Sequence, residues 1–256
     1  SQSSYTAGST TSENCCEAVR LCCGILVERL RPTMNQILEN ARSVTWDMLI
    51  QQANAQSVDL SARTFYKPES SSAEYLNYGV GASEVEVDLV TGRTEIIRSD
   101  IIYDCGKSLN PAVDLGQIEG AFVQGIGFFM YEEYTTNENG LVNEEGTWDY
   151  KIPTIDTIPK QFNVQILNSG HHKNRILSSK ASGEPPLLVA ASVHCATRSA
   201  IREARKQYLS WNCIDDDHRE RCDLGFELPV PATMPVVKQL CGLESIEKYL
   251  EWKTYP

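Results

Sequence analysis

A rigid acidic tetrad, Gly183-Glu184-Pro185-Pro186, is the feature of this 256-residue chain that most restricts how it can fold. Proline has a fixed φ and no backbone N–H, so two prolines in succession fit the first turn of a helix and few other places. Apolar residues follow from Leu187 to Ala191. The pattern predicts a helix from about Pro185 to Arg205, with Glu184 at or just outside its start.

Glu184 has two interpretations at this point. A carboxylate in apolar surroundings resists ionisation and can act as a base near neutral pH. An acidic residue at the start of a helix also stabilises the positive end of the helix dipole without any catalytic role. The spacing alone favours the structural interpretation, because perturbed carboxylates are often merely structural.

Charge and hydropathy argue against two classes of partner. The net charge of −11 and the pI near 4.9 disfavour nucleic acid, whose binding needs clustered Lys and Arg. The same charge disfavours an anionic membrane surface, and no apolar stretch approaches the length of a membrane span. We therefore expect a globular protein with no nucleic-acid partner and no membrane partner.

The nine cysteines point to a reducing compartment. Cys15-Cys16 and Cys22-Cys23 lie in one predicted helix, where adjacent residues point apart. No C-x-x-C pair occurs, which argues against a zinc or iron–sulfur site within the chain. The first residues show no signal-peptide pattern. A cytoplasmic protein with reduced, mostly buried thiols is the expectation.

The order of the elements favours an α+β fold. A capping box of Thr10 and Glu13 predicts a first helix that reaches about Leu30 and ends before Pro32. Further helices are expected over 33–41, 45–55, 113–130, 185–205 and 243–250, and strands over 84–89, 95–103 and 162–167. The first two strands form a predicted hairpin. Helices and strands mix without regular βα alternation, which is typical of the α+β class.

Two segments carry a signal for ligand binding, each with a structural alternative. The helix over 113–130 contains four glycines, which weaken a helix by about 1 kcal/mol each relative to Ala. Close approach to a cofactor would explain them, and so would close packing, the more common reason. The loop Ala7-Gly8-Ser9-Thr10 opens a helix and fits an anion site, but Ser and Thr also serve as plain helix caps.

Three segments in a fixed order give the chain a more specific resemblance. They are T-A-G-S-T-T-S-E from residue 6, N-P-A-V-D-L-G-Q-I-E-G-A-F-V-Q-G from residue 110, and S-K-A-S-G-E-P-P-L-L from residue 179. Together they resemble the molybdenum hydroxylases, the family of aldehyde oxidases and xanthine dehydrogenases, over roughly residues 5–207. The first segment is most similar to the plant aldehyde oxidases, because xanthine dehydrogenases usually carry T-A-A-S there.

The resemblance implies a molybdopterin site. In this family molybdenum is held by the dithiolene of the pterin, with no side-chain ligand from the protein, and the backbone of Gly8 matches the loop beside the metal. Glu184 matches the catalytic base. The implied cofactor contacts come from the hydroxyl-rich loop and the glycine-rich helix: Ala7, Gly8, Ser9, Thr10 and Gln117.

The resemblance also implies that the chain works within a longer protein. The [2Fe-2S] clusters, the FAD domain and the first half of the molybdenum domain match nothing here. Residues 1–207 are thus expected to be the second half of a molybdopterin-binding domain, and 208–256 a C-terminal extension. The isolated chain is expected to be inactive, and the full-length protein a homodimer.

The implied reaction is the oxidation of an aldehyde to a carboxylic acid, with water as the oxygen source and O2 as the final electron acceptor. Indole-3-acetaldehyde and abscisic aldehyde are the substrates that the resemblance suggests. Two alternatives stay open: a xanthine dehydrogenase-type purine hydroxylase, and a catalytically silent truncated module that keeps the fold and binds no cofactor.

Overall fold

The computed structural model describes residues 10–68, 75–172, 176–212 and 225–243. The chain divides into two compact units. One comprises Ser1–Tyr75 and His172–Ser178, and the other comprises Leu76–His171 and Ser179–Pro256. The boundary expected at residue 207 stays a prediction.

Two helices form most of the described part of the first unit. Helix α1 (Thr11–Asn40) and helix α2 (Trp46–Ala55) pack together through a small apolar cluster. The buried members of this cluster are Leu30, Leu49 and Ala53. Thr45 caps α2 because its hydroxyl accepts a hydrogen bond from the Met48 N–H, so this helix begins where the sequence predicts.

Two expectations for α1 are wrong, namely its end before Pro32 and the capping box of Thr10 with Glu13. Pro32 lies inside the helix, and the separate helix expected over 33–41 is its last part. Burial of Thr33, whose hydroxyl donates to Gln56 at 2.9 Å, keeps the chain helical past the proline. Thr10 is the N-cap residue but forms no capping hydrogen bond with its side chain, because its backbone is helical rather than extended.

The expectation of mostly buried thiols is also wrong. Of the seven cysteines in the described part of the chain, only Cys105 and Cys241 are buried. Helix α1 buries only Leu30 and Thr33, and of its four cysteines Cys22 is partly covered while the other three are exposed. All seven described cysteines are free thiols.

A small mixed sheet lies at the centre of the second unit. Strands β1 (Tyr78–Val87) and β2 (Thr94–Asp104) form an antiparallel hairpin, and β3 (Gln161–Ile166) pairs in parallel with β2. The predicted hairpin and the predicted α+β class are both confirmed.

Among the described residues, the second unit also contains three α-helices. They are α3 (Pro111–Ile126), α4 (Ala191–Asn212) and α5 (Met234–Cys241). Helix α4 packs on β1 and contacts α5, while α3 contacts β3. The largest fully buried side chains of this core include Tyr103, Phe122, Ile118, Ile126, Met130 and Val193.

Several helix boundaries differ from expectation; α4, for example, ends at Asn212 rather than at Arg205. Helix α3 ends at Ile126 and continues as a π-helix over Gly127–Tyr131. A helix does begin at Pro185, but its first turns, Pro185–Ala190, are 3-10 and precede α4. The helix expected over 243–250 falls largely outside the described residues. Within the described part of the chain, no helix has the length and hydropathy needed to cross a membrane.

Candidate functional site

Gln117 of α3 lies against the segment that carries Glu184. A Cβ added to Gly183 would be 2.8 Å from the Gln117 Oε1, and Gly183 immediately precedes Glu184. Two residues that the sequence predicts for the site are therefore on adjoining segments, although they are far apart along the chain.

This region is open to solvent in the structure. Gln117 and Glu184 are both exposed. A Cβ added at Gly116 or at Gly120 would meet nothing within 4 Å. The described residues thus leave Gly116, Gln117 and Gly120 of α3 uncovered, and they do not supply the apolar surroundings considered for Glu184.

The start of α3 follows from its local sequence. Pro111 occupies the first turn, where a missing N–H costs nothing, and Asn110 accepts a hydrogen bond from the Val113 N–H at 3.5 Å. Asp114 lies in the first turn, where its charge complements the helix dipole. Gln117 follows one turn later.

The residues before Glu184 are fixed along the end of β2. Ser179 forms a β-bridge with Gly106, and the Lys180 N–H donates to the Cys105 carbonyl at 2.8 Å. These backbone contacts set the position of the chain four and five residues before the candidate base.

The Ala181 carbonyl receives two side-chain donors. The Tyr103 hydroxyl donates to it at 3.2 Å, and the Asn77 amide nitrogen donates to it at 2.5 Å. Tyr103 is itself in the core of the second unit. A carbonyl held by two donors on different strand ends has little freedom to move.

Lys180 forms a buried ion pair with Asp104. Its ammonium, whose side chain is 0% exposed, lies 2.9 Å from the Asp104 Oδ2 and donates to the Leu76 carbonyl at 3.0 Å. Burial opposes ionisation of Asp104. Hydrogen bonds from Lys180, the Gly106 N–H and the Ser169 hydroxyl outweigh that effect and hold the pKa of the carboxyl below its usual value.

Ala7, Gly8 and Ser9 are outside the described residues. Thr10 begins α1 in the first unit. Of the predicted site, the structure therefore brings together Gln117 and Glu184.

Sequence reasoning missed the residues that hold this pair in place. Asp104, Lys180, Asp114 and Ser182 were not predicted to have a role. A signal was available for three of them, because they lie within the segments quoted for the resemblance. Asp104 offers only a weak signal, a charged residue at the end of a strand rich in Ile.

A sequence model of the molybdopterin cofactor-binding domain matches residues 1–159 of the chain. The chain belongs to this family. The resemblance inferred from the three sequence segments is thereby confirmed.

The curated relatives cover nearly all of the chain. It is 76% identical over 253 residues to an abscisic-aldehyde oxidase of Arabidopsis thaliana, a match over 98% of this chain and 19% of that protein. It is 66% identical over 253 residues to an indole-3-acetaldehyde oxidase of the same species, over 98% of this chain and 18% of that protein. The chain thus spans about one fifth of the length of these relatives.

A solved structure has the same fold. A Cu,Mo-CO dehydrogenase aligns with a TM-score of 0.65 at 18% identity, over 94% of this chain and 30% of that chain. At this identity the match shows the fold alone. It agrees with the α+β arrangement of a molybdopterin-binding domain.

Proposed function

We propose that this chain is the part of an aldehyde oxidase that holds molybdopterin beside the catalytic base. The observation that carries the proposal is the placement of Gln117 against Gly183, one residue before Glu184, on a face that the described residues leave open. The names of the relatives support the reaction, oxidation of an aldehyde to a carboxylic acid with water as the oxygen source.

The residues on this face fit the cofactor. Gly116 and Gly120 expose the backbone of α3, so a flat polar ring system can approach it closely. The Gln117 carboxamide offers a donor and an acceptor to such a ring. The loop Ala7–Ser9 would complete the cofactor contacts. When bound, the molybdenum cofactor supplies the two-electron oxidation chemistry.

Glu184 accepts the proton that is lost as the water-derived oxygen adds to the aldehyde carbon. General bases contribute about 10²–10⁴ to a rate. An exposed carboxylate has bulk water as a competitor, so this role requires further protein to cover Glu184 and exclude solvent. The iron–sulfur clusters and FAD that take up the electrons belong to other parts of the longer protein.

The substrate proposed is an aldehyde of the abscisic aldehyde or indole-3-acetaldehyde type, because the relatives above are named for these compounds. A cytoplasmic location and a homodimeric full-length protein stay predictions. The isolated 256-residue chain is expected to turn over no aldehyde with an artificial electron acceptor, and turnover by it would contradict the proposed dependence on further protein.

The variant Glu184→Gln in the full-length holoenzyme tests the proposal. It keeps the size of the side chain and removes the proton acceptor, so kcat should fall by about a thousandfold while molybdenum and pterin contents stay unchanged. The matched control is Glu203→Gln, which makes the same change at an exposed carboxylate on α4 that pairs with Lys206.

Two outcomes would count against the proposal. A Glu184→Gln enzyme that keeps its kcat would show that this residue is not the base. A wild-type protein that contains neither molybdenum nor pterin would instead support the silent module.

A further inference from the structure

The Asp114 carboxylate links two segments that are distant in sequence. Its Oδ1 accepts a hydrogen bond from the Ser182 hydroxyl at 2.9 Å, and its Oδ2 accepts one from the Ser108 hydroxyl at 2.6 Å. All three residues are half-buried. Hydrogen bonds to a charged acceptor are stronger than those between neutral groups, so both links are firm.

These contacts lie next to the two residues of the candidate site, Gln117 and Glu184. Asp114 is one helical turn before Gln117, and residues at this spacing lie on the same side of a helix. Ser182 is two residues before Glu184. The Asp114–Ser182 hydrogen bond and the approach of Gln117 to Gly183 therefore attach α3 to the Glu184 segment at two neighbouring points.

The attachment of Ser182 differs from that of the residues before it. Ser179, Lys180 and Ala181 are attached to the end of β2, whereas Ser182 is attached to α3. The anchors on β2 position the chain relative to the sheet. The contact with Asp114 is the hydrogen bond nearest to Glu184 among the contacts that set the distance between this residue and the helix that carries Gln117.

The dipole of α3 is an incomplete explanation of Asp114. An acid in the first turn of a helix needs no side-chain partners to complement the dipole. Here both carboxylate oxygens are occupied, one by a hydroxyl from each of two separate segments. The Asp114 carboxylate therefore connects α3 to the segments that carry Ser108 and Ser182.

We propose that Asp114 is a positioning residue, which holds Glu184 at a fixed distance from Gln117 through the hydroxyl of Ser182. This rests on the proposed function, in which Gln117 contacts the cofactor and Glu184 is the base. A base must lie within hydrogen-bond reach of its proton, so a small displacement of the segment lowers the rate of proton transfer without weakening substrate binding.

The test compares Ser182→Ala with the wild type in the full-length holoenzyme. Loss of this hydrogen bond should lower kcat by about tenfold, with KM, molybdenum content and pterin content unchanged. Ser182→Thr keeps a hydroxyl at the same position and should recover most of the lost kcat. Asp114→Asn removes the charge that strengthens both links, and adding Ser182→Ala to it should cause less than the product of the two single effects.

Ser83→Ala is the matched control. The Ser83 hydroxyl is also half-buried and also joins distant segments, through the hydroxyls of Ser99 and Ser192 at 2.9 and 2.8 Å. It contacts neither Asp114 nor Ser182. Its kcat should stay within about twofold of the wild type, since a hydroxyl removed away from the reacting groups has little effect on the barrier.

The outcomes separate this inference from the proposed function. If Glu184→Gln is inactive while Ser182→Ala keeps the wild-type kcat, the positioning role is wrong and the proposed function stands. If Ser182→Ala loses cofactor together with activity, Asp114 has only a structural role and the inference is wrong. An active Glu184→Gln enzyme would overturn the proposed function itself.

Discussion

Two faces of α3 both contain glycine, for opposite physical reasons. On the packed face, a Cβ added at Gly125 would overlap the Leu187 carbonyl oxygen and lie 2.6 Å from the Cβ of Ala190. On the open face, which carries Gly116, Gln117 and Gly120, a Cβ added at either glycine would meet nothing within 4 Å. The packed face contacts the 3-10 turn that follows Glu184, and the described residues leave the other face open.

The difference separates two tasks on one helix. The packed face fixes α3 relative to the segment that carries the candidate base. The open face leaves its backbone and Gln117 accessible to a ligand. Close packing, the more common reason for glycines in a helix, therefore accounts for Gly125 and leaves Gly116 and Gly120 to be explained by something outside the described residues.

The largest expected effect on stability comes from breaking the buried ion pair between Lys180 and Asp104. Lys180→Met leaves the Asp104 carboxylate buried and unpaired, and loss of one partner of a buried pair costs about 3–5 kcal/mol. The loss is measured as the change in the free energy of unfolding, and hydrogen exchange of the β2 amides shows where in the protein it occurs. Lys206→Met, which removes a lysine 44% exposed from a surface pair, is the control and should change stability by less than about 0.5 kcal/mol.

A smaller loss is expected at the packed face of α3. Gly125→Ala forces its Cβ into the Leu187 carbonyl, and because backbone rather than a flexible side chain must move, overpacking should cost about 1–3 kcal/mol. Hydrogen exchange of the α3 amides would report the loss. An unchanged exchange rate would show that the helix and the 3-10 turn separate easily and that the packed face does not position Glu184.

Lowering the pH tests the Lys180–Asp104 ion pair through a gradual loss of stability. The pKa of Asp104 is lowered in the folded protein, so the unfolded chain binds the proton first as the pH falls. The ionised Asp104 contributes fully to stability at a pH above its ordinary pKa of 3.8. This contribution is lost as the pH falls through the lower pKa that Asp104 has in the folded protein. The difference in unfolding free energy between wild type and Asp104→Asn should therefore shrink below about pH 4. A difference that is independent of pH would show that the charge of Asp104 contributes nothing.

Local signals in the sequence predicted much of this fold. The alternation of β2 and the prolines after Glu184 each depend on neighbours within a few residues, and these two elements begin within one residue of where the signals place them. Strand β1 begins at Tyr78, six residues before its expected start. The chemistry of Gln117 and Glu184 came from the resemblance, which depends on order along the chain.

Distant partners explain what the sequence did not predict. Pro32 fails to end α1 because Thr33 is buried and bonded to Gln56. Lys180 is completely buried because Asp104, 76 positions earlier, neutralises its charge. The exposure of Glu184 is a third case, since the burial of a carboxylate depends on what covers it and no local pattern contains that information.

The smallest expected effect has the opposite sign and tests the open face of α3. Gly120→Ala meets no atoms within 4 Å and reduces the freedom of the unfolded chain, so it should stabilise the protein by about 0.5–1 kcal/mol. If the open face contacts molybdopterin, the same methyl group should lower the pterin content of the purified holoenzyme. A variant that is more stable and carries less pterin would support a cofactor at this face. A variant that is more stable with full pterin content would place the cofactor away from Gly120, and the open face would then serve contacts with other protein.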